Sequence, residues 1–391
     1  MEVKQVYELV NDVASEALGK ESVLNEDLGN LVDVGTEIFD ANAVDNYVGK
    51  LIDRIGRTIF VDRIYRGSAP SVMMDAWEYG SVCEKISVDL PEASEDESWK
   101  LVDGASYDSS IFYAPKISVK FFNNKSVFEI DGPSITRKQL RESFNNGTEL
   151  NAFVSMIQNA TQKAMTLRVD ELIRRTINSM TANTIYDAFG STGAGSATSV
   201  RAVNLLYEYN QQFNQSLTKD KCWSDPEFIR FFCYKLGLYS DRMGQLSTLF
   251  NIGGKDRFTP KDMLHIVMLS EIGRAANVYL QSETFHNEFT ALPNAEMVSY
   301  WQGSGTDYAF GSTSKINVKT QAGDTVEYDG ILAVMFDRDA LGVTNLDRNS
   351  RSHYSAKGDF YNYFYGFEMG AFNDLNENFV VFGVWDGTEV E

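Results

Sequence analysis

The chain has 391 residues and a formal net charge of -20 at pH 7, from 35 Lys and Arg against 55 Asp and Glu. This length allows a large core in two or three packed regions, and 43% hydrophobic with 23% charged residues is typical of a folded chain. Because such an acidic chain is repelled by phosphate groups, we expect neither sequence-specific nucleic-acid binding nor membrane attachment.

Cysteine usage and the first residues bear on the compartment. Cys83, Cys222 and Cys233 show no C-x-x-C spacing, and an odd number argues against a disulfide framework. The opening MEVKQVYELV has acidic residues and no apolar core, unlike a secretory signal, and no run of about 18 apolar residues predicts a membrane span. The expected compartment is a reducing cytoplasm.

Residues 1–57 are predicted to form short amphipathic helices and connectors. Val48, Leu51, Ile52 and Ile55 recur at helical spacing. Because this stretch has too few apolar residues for a core of its own, we interpret it as an arm that packs on something else.

Residues 81–90 and 116–130 are predicted to be two strands, because apolar and polar residues alternate in both. The connection between them is acidic and about 25 residues long, far beyond the 2–5 residues usual in a hairpin. It is either a solvated loop or a segment that reaches a neighbouring molecule. We expect the second: removal of residues 92–99 should leave the fold intact but impair association with the neighbour, and unimpaired association would show that the loop is only solvated.

A long helix is predicted from Thr148 to about Asn183, a stretch without Gly or Pro. Asn146 and Thr148 are candidate N-caps. The apolar stripe predicted to face a sheet comprises Leu150, Phe153, Ile157, Ala160, Ala164 and Leu167, and then Val169, Ile173, Thr176 and Met180 after a register shift. A coiled coil is disfavoured, because the same frame next places Glu171 and Arg174 in the seam.

The face assigned to this helix gives a direct test. Ile157→Asp should yield insoluble or unassembled protein, because it would bury an unpaired carboxylate against the sheet. Gln158→Asp, one residue round the helix, should be tolerated.

The Gly-, Ser- and Thr-rich run at 190–200 is a candidate boundary. Residues 201–306 are predicted to be mainly helical, with one helix after Pro260 that carries Met263, Leu264, Val267 and Ile272. Strands are predicted at KINVKTQ after residue 313, at ILAVMF, and at FVVFGVW (379–385). The pattern indicates an α+β fold.

No residue pattern indicates a catalytic, cofactor-binding or metal site. The three histidines, His265, His286 and His353, lack partners at zinc-site spacing. The cluster Gly190, Gly193 and Gly195 follows a helix and lacks a phosphate-loop ending, so it is interpreted as a linker. Asp337 and Asp339 flank Arg338 and are interpreted as a turn in which Asp side chains cap backbone amides.

Several long runs of the chain resemble the major capsid proteins of tailed bacteriophages. The clearest is the run VFEIDGPSITRKQLRESFNNGTELNAFVSMIQNATQKAMTLRVDELIRRTINSMTANTI at 127–185. Others lie at 31–67, at 281–305, at 328–345 and at 360–384 (FYNYFYGFEMGAFNDLNENFVVFGV). They occur in the order expected for that family, whose fold is shared with herpesvirus capsid floor domains and encapsulins.

The resemblance implies an architecture. It assigns 1–57 to an N-terminal arm, 58–131 to an extended hairpin (the E-loop) that overlaps a neighbouring subunit, and 132–200 to a peripheral domain with the spine helix at about 148–183. It further assigns 201–328 to an axial domain and 329–391 to C-terminal strands that return to the core.

The function implied is a capsid subunit without enzymatic activity or cofactor. Copies would form hexamers and pentamers of an icosahedral shell around double-stranded DNA, with a scaffolding protein and a portal as partners and assembly in the host bacterial cytoplasm. Net acidity would then suit an inner wall to which DNA adheres weakly, as well as solubility. Alternatives are an encapsulin-type nanocompartment and, from another class, a carboxylate-dependent hydrolase.

Some members of the family cross-link their subunits through Lys and Asn. Lys85, Lys100 and Lys116 lie in or beside the proposed E-loop. Nothing in the sequence marks any of them as reactive.

Overall fold

The computed structural model describes residues 11–16, 18–19, 31–40, 47, 50, 71–72, 83–88, 103, 117–122, 124–131, 134–136, 138, 147–191, 195, 197–281, 295–302 and 310–385. Over 147–160 it describes the backbone alone. The acidic loop at 92–99 and the side chains of Ile157 and Gln158 therefore lie outside the described residues, and the tests proposed for them stay predictions.

Besides the helical residues 11–16, the described α-helices are α1 (Leu31–Asp40), α2 (Gly147–Phe189), α3 (Leu205–Phe213), α4 (Pro226–Met243), α5 (Ser270–Gln281) and α6 (Phe310–Thr313). The strands are β1 (Cys83–Val88), β2 (Ile117–Phe122), β3 (Lys125–Asp131), β4 (Ile135–Thr136), β5 (Ala202–Asn204), β6 (Leu264–Leu269), β7 (Ala295–Val298), β8 (Ile316–Lys319), β9 (Thr325–Tyr328), β10 (Ile331–Asp337), β11 (Leu341–Ser355), β12 (Phe360–Asn373) and β13 (Phe379–Gly383). Helices and sheets are mixed along the chain, as the α+β assignment requires.

A five-stranded sheet in the order β5-β13-β10-β6-β7 forms the most buried part of the protein. Its central strand β10 pairs antiparallel with both β13 and β6, whereas the outer pairs β13–β5 and β6–β7 are parallel. Every residue of β10 and β13 is buried. A continuous apolar run such as ILAVMF is what a strand covered on both faces needs.

A second sheet, in the order β11-β12-β3, is built on one long antiparallel hairpin, and β4 extends it at one end of β12. Along β12 the alternate positions 361, 363, 365, 367, 369 and 371 are buried. Most of this hairpin was not predicted from periodicity. The sequence FYNYFYGF places aromatic rings on both faces, so the period of two is hidden.

Helix α2 lies across β11 and β12 and reaches β8 and β13, which confirms the prediction of one long helix on a sheet. It continues to Phe189, six residues beyond the expected end at Asn183, and stops where Gly190 adopts a positive φ of 75°. Between Thr176 and Ile185 nearly every side chain is buried, polar ones included. Thr176, Thr181 and Thr184 are accommodated there because each hydroxyl donates to the carbonyl four residues earlier.

The predicted apolar stripe of α2 is partly wrong. Ile173, Thr176 and Met180 are buried as expected, but Leu167 is 65% exposed and Met165 is buried instead. The predicted stripe joined apolar residues that are three or four positions apart in the sequence, and it passed through Leu167. Met165 lies about 200° from Leu167 around the helix axis. Only one of the two can face the sheet.

Two further predictions are corrected. The stretch 264–269 is the strand β6 and not part of a helix after Pro260, and the helix in this region, α5, begins at Ser270. Short apolar runs such as LHIVML fit either a strand or a buried helix by periodicity alone. The stretch 116–130 divides into β2 and β3, which belong to different sheets.

The described residues near the N-terminus pack on the rest of the chain. Val13, Ala14, Val34, Ile38 and Tyr47 are all buried. Helical residues 11–16 and α1 confirm the prediction of short helices. Val48, Leu51, Ile52 and Ile55 lie outside the described residues.

Candidate functional site

Strands β1 and β2 pair antiparallel in a two-stranded sheet that shares no strand with the other described sheets. A two-stranded hairpin is marginally stable in water on its own. In the described part of the chain, a set of ionic contacts near the middle of the hairpin ties it to the rest of the protein.

These contacts involve two lysines that face one another across the hairpin. Lys85 of β1 lies opposite Lys120 of β2. The Nζ of Lys85 lies 3.1 Å from Asp374 Oδ2 and 2.6 Å from Glu377 Oε1, and the Nζ of Lys120 lies 3.1 Å from Asp374 Oδ1. Asp374 thus bridges both strands of the hairpin. Its carboxylate compensates the repulsion between the two lysines, which face one another as a cross-strand pair. We call Lys85, Lys120, Asp374, Glu377 and Arg257 the ionic hub.

The hub is built on the turn 374–378, between β12 and β13. Asp374 Oδ1 also accepts the backbone N–H of Asn376 (3.0 Å), and Glu377 Oε1 accepts Arg257 Nε (3.0 Å). Both carboxylates are almost fully buried. Buried carboxylates persist as ions only when cations and N–H donors replace water, which is what these contacts do.

Electrostatics in the hub favour the charged forms. Burial alone would raise the pKa of Asp374, but the Asn376 N–H, Lys85 and Lys120 outweigh burial, and its pKa lies below the ordinary value. Burial alone would lower the pKa of Lys85, but Glu377 and Asp374 outweigh it, and its pKa is raised. A protonated Lys85 is not nucleophilic, so the hub holds it as a structural cation.

The opposite face of β2 points to solvent. Ile117, Val119 and Phe121 are 43–66% exposed, whereas Ser118, Lys120 and Phe122 alternate with them and are partly buried. The apolar alternation predicted for this strand is present, but its apolar side is uncovered within a single chain. Contiguous exposed apolar side chains on a soluble protein mark surfaces that bind other molecules.

An open cleft of about 1180 Å³ lies beside the hairpin, between β2, α2 and residues 300–302. Phe121 and Leu167 contribute apolar surface to it, and the Arg174 guanidinium lies 4.1 Å from the centre of the Tyr300 ring. Among the described residues that line the cleft there is neither His nor Cys. Its described lining mixes apolar, aromatic and charged side chains, which suits a binding surface.

The residues considered for chemistry are dispersed. His265 lies in β6, where its ring stacks on Phe336 with centroids 5.7 Å apart, and burial lowers its pKa. His353 is exposed in β11, and His286 lies outside the described residues, as do Lys100 and Lys116. Among the side chains that the structure describes, no group of three or more His, Cys, Asp or Glu is placed to bind a metal ion.

The described cysteines do not pair. Cys222 is buried and Cys233 is half-buried, and burial raises the pKa of each thiol, to about 12 and about 11 respectively. Thiols with such raised pKa values are inert at neutral pH. The side chain of Cys83 lies outside the described residues.

The turn predicted at Asp337 is confirmed. Residues 338–340 form a turn after β10, and Asp337 Oδ1 accepts the N–H of Asp339 at 2.9 Å. Burial raises the pKa of Asp337. This carboxylate caps a backbone amide, as the sequence indicated.

Sequence reasoning missed the hub itself. Asp374 and Glu377 stand in DLNEN, a polar interruption between two apolar strands that is indistinguishable from an ordinary turn. Their partners lie 120 to 292 residues away along the chain. The one available signal was the presence of charged residues within an otherwise strongly apolar C-terminal stretch.

Comparison with known proteins identifies the family. The profile of the family described as Phi29-like phage major capsid protein matches residues 10–383. A search of curated protein sequences finds no significant match.

Solved structures show the same fold. The capsid structure of Staphylococcus phage Andhra aligns with a TM-score of 0.50 at 9% identity, covering 82% of this chain and 85% of that one. A chain in the structure of the head fiber and inner core protein gp22 of native bacteriophage P68 aligns with a TM-score of 0.50 at 10% identity, covering 83% and 86%. At such identities the likeness establishes the fold alone.

None of the helices described here is both long and apolar enough to cross a membrane. The family profile spans nearly the whole chain, and the fold agrees with it. The chain therefore belongs to the Phi29-like phage major capsid protein family, and it is a structural subunit of a viral shell.

Proposed function

We propose that copies of this chain form hexamers and pentamers that close an icosahedral shell around double-stranded DNA, with the β1–β2 hairpin laid on a neighbouring subunit. The observation that best supports this proposal is the exposed apolar face of β2, formed by Ile117, Val119 and Phe121. An anchored hairpin with a free apolar face is suited to a neighbour, since each apolar side chain buried there contributes roughly 25 cal/mol per Å².

The division of the chain follows the same proposal. Residues 1–57 act as the arm, 58–131 as the E-loop region, 132–200 as the peripheral domain, 201–328 as the axial domain and 329–391 as returning strands. Strand β10 pairs with β6, and β13 pairs with β5. These pairings support the assignment of 329–391 as returning strands, because they join the C-terminal strands to strands of the 201–328 region. Strand β3 pairs with β12 and so belongs with the second sheet, near the end of the E-loop region.

Enclosure of DNA requires a wall that does not bind it strongly. A net charge of -20 supports this, since cationic clusters are what hold phosphate backbones. Contact with the genome is then non-specific and repulsive. A scaffolding protein and a portal complete the proposed partners, with assembly in the host bacterial cytoplasm.

The test is the assembly state of the purified chain. Expressed with its scaffolding protein, the wild-type chain should sediment as closed particles of uniform diameter in negative-stain images. DNA in particles purified from infected cells should resist nuclease. Protein that stays monomeric at high concentration with the scaffold supplied would contradict the proposal.

A further inference from the structure

The cleft between β2, α2 and residues 300–302 has walls that are hydrogen-bonded to α2. The side-chain amide of Asn178, in α2, donates to the carbonyl of Trp301 at 2.7 Å. The side-chain amide of Asn373 donates to the carbonyl of Thr176, also in α2, at 3.2 Å. Because these bonds fix both walls relative to the helix, the cleft is already shaped before anything binds in it.

The size of the cleft indicates what could occupy it. Its volume of about 1180 Å³ exceeds the roughly 300–1,000 Å³ of sites that hold a small molecule. The residues of α2 that line it run from Leu167 to Ser179, which is about 18 Å of helix, or about three turns. The cleft therefore has room for a short helical segment of another chain packed along α2.

Part of the lining is apolar. Leu167 projects from α2 and is 65% exposed, although it lines a cleft whose walls are fixed. Phe122 of β2 lies against Phe372, with ring centroids 5.2 Å apart, and both rings line the same cleft. Apolar side chains in an open groove are the surface on which an amphipathic helix buries its apolar stripe.

The charges of the lining favour an acidic ligand. Arg175 and Lys319 are exposed in the cleft, and neither forms an ion pair with a carboxylate of the described residues. Of the two carboxylates in the lining, Glu171 lies 2.9 Å from Arg168, and Asp170 is buried. In a chain with a net charge of -20, the cleft thus presents two cations that can pair with carboxylates of a ligand.

Two other acidic occupants fit the lining less well. Double-stranded DNA offers phosphates to the cations but no apolar side chains to cover Leu167. The loop 92–99 of another copy has four carboxylates, but Trp99 is its one large apolar residue, so it cannot form an apolar stripe. The combination of apolar and cationic surface favours an amphipathic helix.

We propose that this cleft binds an acidic amphipathic helix of a second protein. The apolar stripe of that helix would cover Leu167 and the Phe122–Phe372 pair. Its carboxylates would pair with Arg175 and Lys319. The inference adds a binding activity to the proposed function, and it does not depend on whether the chain forms shells.

Peptide binding to unassembled subunits tests the site. Two fluorescently labelled synthetic peptides of about 18 residues, long enough to form a helix, carry leucine at every third or fourth position. The remaining positions are alanine and glutamate in the acidic peptide, and alanine and lysine in the basic one. By fluorescence anisotropy, the wild-type chain should bind the acidic peptide at least tenfold more tightly. Equal binding of the two peptides, or binding of neither, would overturn the inference.

Charge variants locate the binding. Arg175→Glu, Lys319→Glu should reverse the preference, so that the basic peptide binds more tightly. The control Lys221→Glu, Lys357→Glu makes the same change in net charge at exposed positions outside the cleft and should bind as the wild type does. Equal effects of the two variants would overturn the site. Arg175→Gln, Lys319→Gln should abolish the preference, and it decides the question if the glutamate variant does not fold.

The apolar part and the identity of the occupant are tested in the same assay. Leu167→Ser should weaken binding of the acidic peptide at least fivefold, and unchanged binding would overturn the assigned orientation of the helix. Unlabelled competitors are a DNA duplex of about 20 base pairs and a peptide of residues 89–101. Both should displace the labelled acidic peptide less effectively than its own unlabelled form. More effective displacement by either would overturn the assigned partner.

Discussion

The five-stranded sheet and the β1–β2 hairpin are stabilised in opposite ways. In the sheet, β10 and β13 are wholly buried among apolar side chains. The hairpin shares no strand with the other described sheets, exposes an apolar face, and is fixed by Lys85 and Lys120 on the buried Asp374.

The difference separates folding from assembly. Burial of apolar side chains involves no titrating group, so the sheet keeps its stability over a wide pH range and defines a constant body for the subunit. An ionic anchor holds the hairpin in a set direction without covering its apolar face. The molecule therefore keeps uncovered the surface that we assign to its neighbour.

The largest loss of stability is expected from a substitution in the five-stranded sheet. Phe336→Ala should lower the free energy of unfolding by about 3–5 kcal/mol, because Phe336 is buried between His265 and Phe379 and its removal leaves a cavity. Urea unfolding of unassembled subunits measures this free energy. Tyr234→Ala removes an exposed ring and should cost far less. Equal losses would mean that the sheet is not the main source of stability.

The two faces of α2 give a matched pair within one helix. Leu172 is 3% exposed and Leu167 is 65% exposed. Leu172→Ala should cost about 2–5 kcal/mol and Leu167→Ala less than about 0.5 kcal/mol in the same urea experiment. The opposite order would restore the face predicted from the sequence stripe.

A substitution in the ionic hub should have a smaller effect, a loss of stability confined to the hairpin. Asp374→Asn leaves Lys85 and Lys120 opposite one another without the shared carboxylate. Backbone amides in 83–88 and 117–122 should then exchange hydrogen faster, while those of 331–337 are unchanged. Arg351→Met breaks the exposed pair with Glu129, 3.0 Å long, and should alter neither region. Uniform acceleration throughout the chain would show that hairpin and sheet unfold together.

The smallest effect that we expect is a dependence of the folding stability on pH, through Asp374 and Lys85. The pKa of Asp374 is lowered in the folded state, so its stabilising contribution is present above the ordinary value of 3.8 and is lost as pH falls through the folded pKa. The pKa of Lys85 is raised, so its contribution is present below 10.5 and is lost as pH rises through the folded value. The window of full stabilisation therefore spans about pH 4 to 10.

Thermal unfolding between pH 2 and 6 measures the acid limb. The melting temperature of the wild-type chain should fall more steeply below pH 4 than that of Asp374→Asn, which lacks the titrating group. Parallel curves would show that Asp374 contributes nothing through its charge.

Local patterns predicted the elements whose signals lie within a few residues. The long helix, the strand ILAVMF and the turn at Asp337 were recognised because helical periodicity, a continuous apolar run and Asx geometry mark them. The candidate N-cap Thr148 was wrong, because the helix already begins at Gly147, and Asn146 lies outside the described residues. The strand β6 was mistaken for a helix because LHIVML is apolar at every position except His265. In β12, the alternation of tyrosine with phenylalanine conceals which face is buried.

The hub and the exposed face of β2 could not be predicted in this way. Asp374 joins Lys85 and Lys120 only after three separate regions of the chain have folded together. Whether Ile117 and Phe121 are covered depends on packing between distant segments, and alternation alone does not report it. The acidic loop at 92–99 remains a prediction of the sequence.

The most direct test of the account replaces the outward face of the hairpin. Ile117→Ser, Phe121→Ser removes two exposed apolar side chains, and Val127→Ser provides a control at an exposed position of β3. Sedimentation and negative-stain imaging with scaffold supplied should show folded subunits that form no closed shells for the hairpin variant, and normal shells for the control. Shells at wild-type yield from the hairpin variant would contradict the claim that this uncovered face joins one subunit to the next.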